Sequence, residues 1–420
     1  MKRLISLILS LPLLLAASCG KSLSDDFPKK EAGSEEGSVP TVTTKSIKTA
    51  VEDPLTWAKV EAIPKVSSEM TANEMRQMIL DFAALELSFV WTPNSNWYLE
   101  RYDHEYKVGS YYGGIPYAGD SGNVYKWLVY YDEETGVLDS KHIPGGGPQS
   151  IFFQCSSFAF SAWGRVSNSM TWEGTHNITE HTGIIKIGEY TTDSAIYDYH
   201  KQKRYTTEIC ENNGEQAMFR SYAKLLPADG VANYLPIGGH VLLIKEVQTV
   251  KNTTGIDGNE SYVIFYEQSS ARVWKTQKNG VKYLAQRGID RKFTFKELFD
   301  KGYLPFGVKE LYGLDPVEKA VAGMTLKKDT VSAEELCGAS VTSNYAISTI
   351  HIDVTDKNGN TVYSNNSHVS GFPLLRTEYA LSNRFYPSGI KKFEGQGCHV
   401  TVQIRVSTGH LLSAYEGNLI

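Results

Sequence analysis

Chemistry in this chain is concentrated in two short stretches. The first runs Gln154-Cys155-Ser156-Ser157-Phe158-Ala159-Phe160-Ser161-Ala162-Trp163 after the apolar approach Ile151-Phe152-Phe153. The spacing of Phe158, Ala162 and Val166 predicts a helix with a buried face, opening at Cys155 and ending or kinking at Gly164. At a helix N-terminus, unpaired backbone N–H groups and the positive end of the dipole favour the thiolate over the thiol. The competing reading is a small apolar cysteine packed in a core. The second stretch, Gly238-Gly239-His240-Val241-Leu242-Leu243-Ile244, sets a histidine at the mouth of a continuous apolar run. Such a run reads as a central strand buried on both faces.

A third group follows from strand pairing. Ser261 to Glu267 reads as the next strand, and an antiparallel hairpin centred on Thr253-Thr254 puts Glu267 opposite His240. A two-residue shift brings Ser269 there instead, while Gln268 faces the other way unless a bulge intervenes. The expected set is Cys155 as nucleophile, His240 as general base and then acid, and Glu267 as the group fixing the imidazole tautomer. The Cys155 N–H, with Gln154 or Tyr117 as a second donor, is the expected oxyanion site.

Other elements must hold these groups in place. Thr71-Ala72-Asn73-Glu74 fits a capping box, and Met75, Met78, Ile79, Phe82 and Leu85 form one stripe, predicting a packed helix from Ser68 to Phe89. Tyr111-Tyr112-Gly113-Gly114-Ile115-Pro116-Tyr117 reads as an aromatic turn lining a cleft, so Tyr112, Tyr117 and Ser269 are candidate substrate contacts. Pro144 to Pro148 reads as a flexible lead into Cys155. His176, His181 and His200 are irregularly spaced, and the chain has no Cys-x-x-Cys or His-Glu-x-x-His pattern. No zinc site and no cofactor are expected.

The Gln-Cys-Ser-Ser-Phe-Ala-Phe run followed by Trp163 resembles the cysteine helix of the CHAP (cysteine, histidine-dependent amidohydrolase/peptidase) family of papain-like hydrolases. Gly239-His240-Val241 and Tyr266-Glu267-Gln268 resemble that family's histidine strand and third catalytic strand. Leu226-Pro227-Ala228-Asp229-Gly230 looks like the Pro-Gly-Asp turn of that family and of the related NlpC-type peptidases, with Asp and Gly reversed. The resemblance runs from Tyr111 to Gln268. The stretch between Cys155 and His240 is longer than the usual CHAP spacing, so Met170 to Glu215 reads as an insertion. The resemblance implies cleavage of amide bonds in peptidoglycan stem peptides or other extracellular peptides.

At the N-terminus, Lys2 and Arg3 precede the apolar run Leu4 to Leu15 and the small-residue site Ala16-Ala17-Ser18-Cys19. This resembles a bacterial lipoprotein signal, which implies lipidation of Cys19 and a membrane anchor. Ser24-Asp25-Asp26-Phe27 resembles the surface-export signal of Bacteroidetes lipoproteins, implying the outer membrane and its outward face. Lys29 to Lys48 is polar enough to be a disordered linker. The net charge of −5 offers no basic footprint for nucleic acid. Of the five cysteines, Cys337 and Cys398 are the preferred disulfide pair among three possible pairings of the four outside the anchor, leaving Cys155 and Cys210 free.

Beyond Leu314 the sequence turns to short alternating runs, including Ile347 to Val354 and His399 to Val406, which fit a small immunoglobulin-like β-sandwich. The expected organisation is a signal peptide (1–18), a tether (19–50), a papain-like hydrolase domain with an antiparallel sheet and N-terminal helices (51–312), and a β-sandwich (313–420). The fold class is α+β. The expected function is that of a lipid-anchored cysteine peptidase or amidase. The rivals are an inactive surface adhesin or ligand-binding lipoprotein, and an acyl transferase using the same triad with an amine as acceptor.

Overall fold

The computed structural model describes residues 51–420 except 100–102, 119–121, 144–150, 171–180, 196–203, 237 and 370–376. The anchor cysteine Cys19, the signal and the tether lie outside the described residues, as do His176, His200 and the Pro144–Pro148 lead. The architecture is mixed α+β, with several sheets and few long helices.

The central sheet has six strands, all antiparallel to their neighbours, in the order Arg291–Thr294, Tyr262–Tyr266, Gly238–Gln248, Gly230–Leu235, Leu304–Val308, Ile184–Lys186. Val241, Leu242, Leu243 and Ile244 are all at most 1% exposed, as expected of a strand covered on both faces. Side chains alternate across a strand. Val241 and Leu243 accordingly join the core that contains the cysteine helix, while Leu242 and Ile244 join a second core with Tyr222, Phe265, Phe295 and Tyr303. Each fully buried aliphatic of this kind contributes about 1.5–3 kcal/mol of hydrophobic stabilisation.

Helix Ala72–Ser88 starts at the Thr71 cap, a few residues later than the sequence pattern suggests. Thr71 N donates to Glu74 Oε2 at 2.7 Å, and Glu74 N donates back to Thr71 Oγ1 at 3.3 Å. Arg76, buried on this helix, reaches the turn before the central sheet: its Nη1 lies 2.8 Å from Asp229 Oδ1. Asp229 also accepts from Leu226 N at 2.8 Å and from the Tyr312 hydroxyl at 2.5 Å. Burial pushes the Asp229 carboxyl up, against the pull of Arg76 and these donors. In the same turn Ala228 adopts φ 64°, and its carbonyl accepts from Trp163 Nε1 at 2.8 Å. The turn thus fastens the far end of the cysteine helix to the sheet.

A second six-stranded sheet, in the order Arg272–Thr276, Lys282–Gln286, Tyr112–Gly113, Val90–Pro93, Val137–Leu138, Tyr131–Asp132, flanks the helices. It absorbs the aromatic turn. Gly114 has φ 67°, and a Cβ there would stand 2.7 Å from the Leu87 carbonyl oxygen, so the turn can press on the helix end only as glycine.

The C-terminal region has its own core around Val331, Ile350, Ile352, Val400 and Ile404. One sheet orders Thr330–Val331, Leu411–Leu419, His399–Val406, Ile347–Thr355 and Thr361–His368; a smaller one orders Ala322–Met324, Ser340–Ser343 and Glu378–Ala380. Cys337 and Cys398 are buried in this core as free thiols, so the preferred disulfide is not formed. This region docks on the first: Asn123 Nδ2 donates to Ser348 Oγ at 3.1 Å, and the Tyr130 hydroxyl meets His368 Nδ1 at 2.8 Å.

Candidate active site

Cys155 is the first residue of helix Cys155–Trp163. Ser157 sets up that start: Gln154 N donates to its hydroxyl at 2.8 Å, and the hydroxyl donates to the Gln154 carbonyl at 3.1 Å. The polar Ser156 and Ser157 near the start, with Phe158, Ala159, Phe160 and Trp163 behind them, give a helix buried along its whole length. The helix ends where expected, with Gly164 N donating to the Phe160 carbonyl at 2.8 Å. The thiol of Cys155 is within 3.9 Å of the Gly239 carbonyl oxygen, at the beginning of the histidine strand.

His240 follows directly. Its Nε2 lies 2.6 Å from Glu267 Oε2. Glu267 is only 2% exposed, and its other oxygen, Oε1, accepts from Arg291 Nη1. Burial raises the Glu267 carboxyl, but the hydrogen bonds and charges of His240 and Arg291 outweigh burial and hold it below the ordinary glutamate range. An ionised carboxylate only accepts, so the imidazole donates from Nε2. That fixes the tautomer and leaves Nδ1, which has no hydrogen bond among the described residues, as the nitrogen available for proton transfer.

The expected contact between His240 and Glu267 forms by a different register. The hairpin tip is centred on Thr253-Thr254 as anticipated, with Lys251 opposite Ile256 and Asn252 opposite Gly255. Beyond it, Asp257 accepts from Asn259 N and Glu260 N and builds an extra turn. Tyr262 therefore pairs with Gln248, and a bulge at Lys245 shifts the ladder again so that Tyr266 pairs with Leu243. Glu267 then reaches His240 diagonally, from the same face of the sheet.

The thiol and the imidazole approach from different sides. Alternation puts His240 with Leu242 and Ile244, whereas the cysteine helix packs on the side of Val241 and Leu243. The thiol reaches only the backbone at the end of the strand, at Gly239, beside Gly238, whose φ of 131° only glycine adopts readily. No hydrogen bond joins Cys155 to His240, and Cys155 is 0% exposed.

Three participants were not anticipated. Arg291 is carried in by the edge strand, its guanidinium carbon 5.4 Å from the Phe293 ring centre. Asn233, cross-strand from His240, accepts the His240 N–H at 2.8 Å and donates to the Lys301 carbonyl at 3.0 Å. Tyr303 lies close to Glu267 and Cys155; burial pushes its phenol well above the ordinary value, and the Glu267 charge adds to this. A basic residue two positions before an aromatic in a short strand was the available signal for Arg291, but it has meaning only once that strand is paired.

The remaining expected contacts separate into two kinds. Tyr117 forms an isolated parallel bridge with Phe153, so it lies beside the chain entering Cys155. Gln154 and Ser269 are buried, and the Ser269 hydroxyl has no hydrogen-bond partner among the described residues. Gln268 faces away, donating from Nε2 to the Ile115 carbonyl. Tyr112 is a packing residue, contrary to expectation: its ring is 5.1 Å from Trp91 and 4.7 Å from Tyr106, and its hydroxyl accepts from Lys107 N at 2.8 Å. It is only 5% exposed, packed between these two aromatics.

Among the described residues no group of three His, Cys, Asp or Glu side chains is arranged to hold a metal ion, and no helix is long and apolar enough to cross a membrane. No protein-family model matches the chain, and a comparison with curated proteins found no match.

Proposed function

We propose that this protein is a cysteine hydrolase of papain-like design that cleaves amide bonds in peptidoglycan stem peptides or other extracellular peptides. The observation that carries this reading is the placement of the Cys155 thiol against the backbone at Gly239, one residue from an imidazole already oriented by a buried, ionised carboxylate. In the reaction, His240 Nδ1 takes the proton from Cys155 as the sulfur attacks the carbonyl carbon. It returns that proton to the leaving amine, and water then releases the acyl group from sulfur. The Cys155 N–H at the helix start, with Gln154 or Tyr117 beside it, would receive the oxyanion. Catalytic contacts commonly tighten only when substrate is bound, which suits a Cys155–His240 pair not yet hydrogen-bonded. The C-terminal region, which we take as a sandwich-like domain, braces the catalytic body, and the Cys19 lipid tethers both to the outer membrane surface.

Full burial of Cys155 favours a second reading, a surface-binding lipoprotein without activity. Iodoacetamide labelling of Cys155 across pH, mapped by mass spectrometry on the full chain and on His240→Ala, separates the two. The hydrolase requires a thiol titrating well below the free value of about 8.5 and losing that reactivity in the variant. A Cys155 that stays inert, or titrates alike in both proteins, leaves the binding reading.

A further inference from the structure

A second cluster of polar groups packs beside the chain segment that enters the Cys155 helix and takes no part in the proposed chemistry. Trp97 and Tyr106 are cross-strand partners in a small hairpin, their rings stacked at 4.6 Å. His104 meets Tyr106 edge-on at 4.5 Å, and the Arg272 guanidinium carbon lies 5.9 Å from the same ring. Phe152, three residues before Cys155, packs against Trp97 at 5.7 Å and Tyr106 at 6.2 Å. Arg272 opens the strand that follows Glu267 and Ser269. The cluster is therefore tied to both arms of the candidate site.

Several of its polar atoms are shielded from solvent together. Among the described residues, Trp97 Nε1, His104 Nε2, and Arg272 Nε and Nη2 are shielded from solvent outside normal hydrogen-bond geometry, as is the Tyr106 hydroxyl, whose neighbouring polar group is the Arg272 guanidinium. Tyr106 is 1% exposed. Arg272 is half-buried and forms no ion pair among the described residues, and its Nε and Nη2 are turned away from solvent. Burial and the Arg272 charge press His104 down to about 4, so it is neutral at physiological pH. Leaving one buried donor unpaired costs about 1–3 kcal/mol, and more for a charged one. Several such groups around one ring fit a site completed by a ligand with several acceptor lone pairs, one of them charged. A planar carboxylate meets a guanidinium in that way, and an indole N–H and a phenol can add to it.

We propose that Arg272, Trp97, Tyr106 and His104 form a carboxylate-binding subsite that anchors an acidic group of the peptide attacked by Cys155. The carboxylate is either the C-terminal group of the substrate or an acidic side chain. The catalytic purpose of the subsite rests on the hydrolase reading, while its affinity for carboxylates does not.

Calorimetric titration of the full chain tests this with three probes: N-acetyl-Ala-Ala, its C-terminal amide, and N-acetyl-glutamic acid α-amide. Binding of the first assigns the terminal carboxylate, binding of the third a side-chain carboxylate, and the amide of the first must not bind. Arg272→Met and Tyr106→Phe are each expected to weaken the binding about tenfold or more, as for loss of a charge-assisted bond. Tyr106→Phe removes one buried hydroxyl and keeps the packed ring, so its melting temperature should change little while binding weakens. The proposal is overturned if neither acid binds, if acid and amide bind alike, or if both variants bind as the parent does. The same titrations on Cys155→Ser exclude turnover. Absent peptide binding alongside His240-dependent labelling of Cys155 rejects the subsite alone, whereas binding to a chain with inert Cys155 rejects the hydrolase alone.

Discussion

Replacing Arg291 with methionine removes one of the two partners of a buried carboxylate and leaves the packing largely in place. Glu267 keeps His240 on Oε2, but Oε1 loses its guanidinium. Removing a partner from a fully buried ion pair costs about 3–5 kcal/mol. The Arg291 side chain is 25% exposed against 3% for Glu267, so water already screens one side of the pair. That brings the expected loss to about 2 kcal/mol, near the value of a charge-assisted hydrogen bond. The dependence on pH is the sharper signature. The Glu267 carboxyl titrates below its ordinary range in the fold, so the stability it contributes is complete above the unfolded value of about 4.3 and is lost as pH falls through the folded value. The gap between parent and variant should be widest at neutral pH and narrow steadily in acid. Urea unfolding of both proteins at pH 7, 5 and 3.5 measures this directly. A gap independent of pH, or one below about 0.5 kcal/mol at pH 7, would refute the assignment of Arg291 as the residue that keeps Glu267 charged.

Two further outcomes follow from the frame around the site. Asp229→Ala leaves the buried Arg76 guanidinium without its carboxylate and should cost about 3–5 kcal/mol in urea unfolding; adding Arg76→Met should recover part of the loss, because the stranded charge goes with it. Because Cys337 and Cys398 are unbonded, a reducing agent should leave the melting temperature unchanged. Both cysteines should alkylate only after denaturation, the Cys337 thiol being pushed up to about 11 by burial.

The sequence by itself determined the local events. The Thr71–Glu74 capping box, the helix start at Cys155, its stop at Gly164 and the buried run Val241 to Ile244 are all written in neighbouring residues, because caps and apolar periodicity act over a few positions. The hairpin tip at Thr253-Thr254 was legible for the same reason. Tertiary structure decided the rest. The pairing beyond that tip depends on an extra turn at Asp257 and a bulge at Lys245, so Glu267 reaches His240 diagonally rather than from directly opposite. Arg291 and Asn233 join His240 and Glu267 only when their strands align, and Tyr112 is claimed by Trp91 and Tyr106, residues that nothing in its own stretch announces. Strand alignment sums many weak contacts between distant segments. Such a sum has no local signature, whereas a capped helix or a buried strand has one.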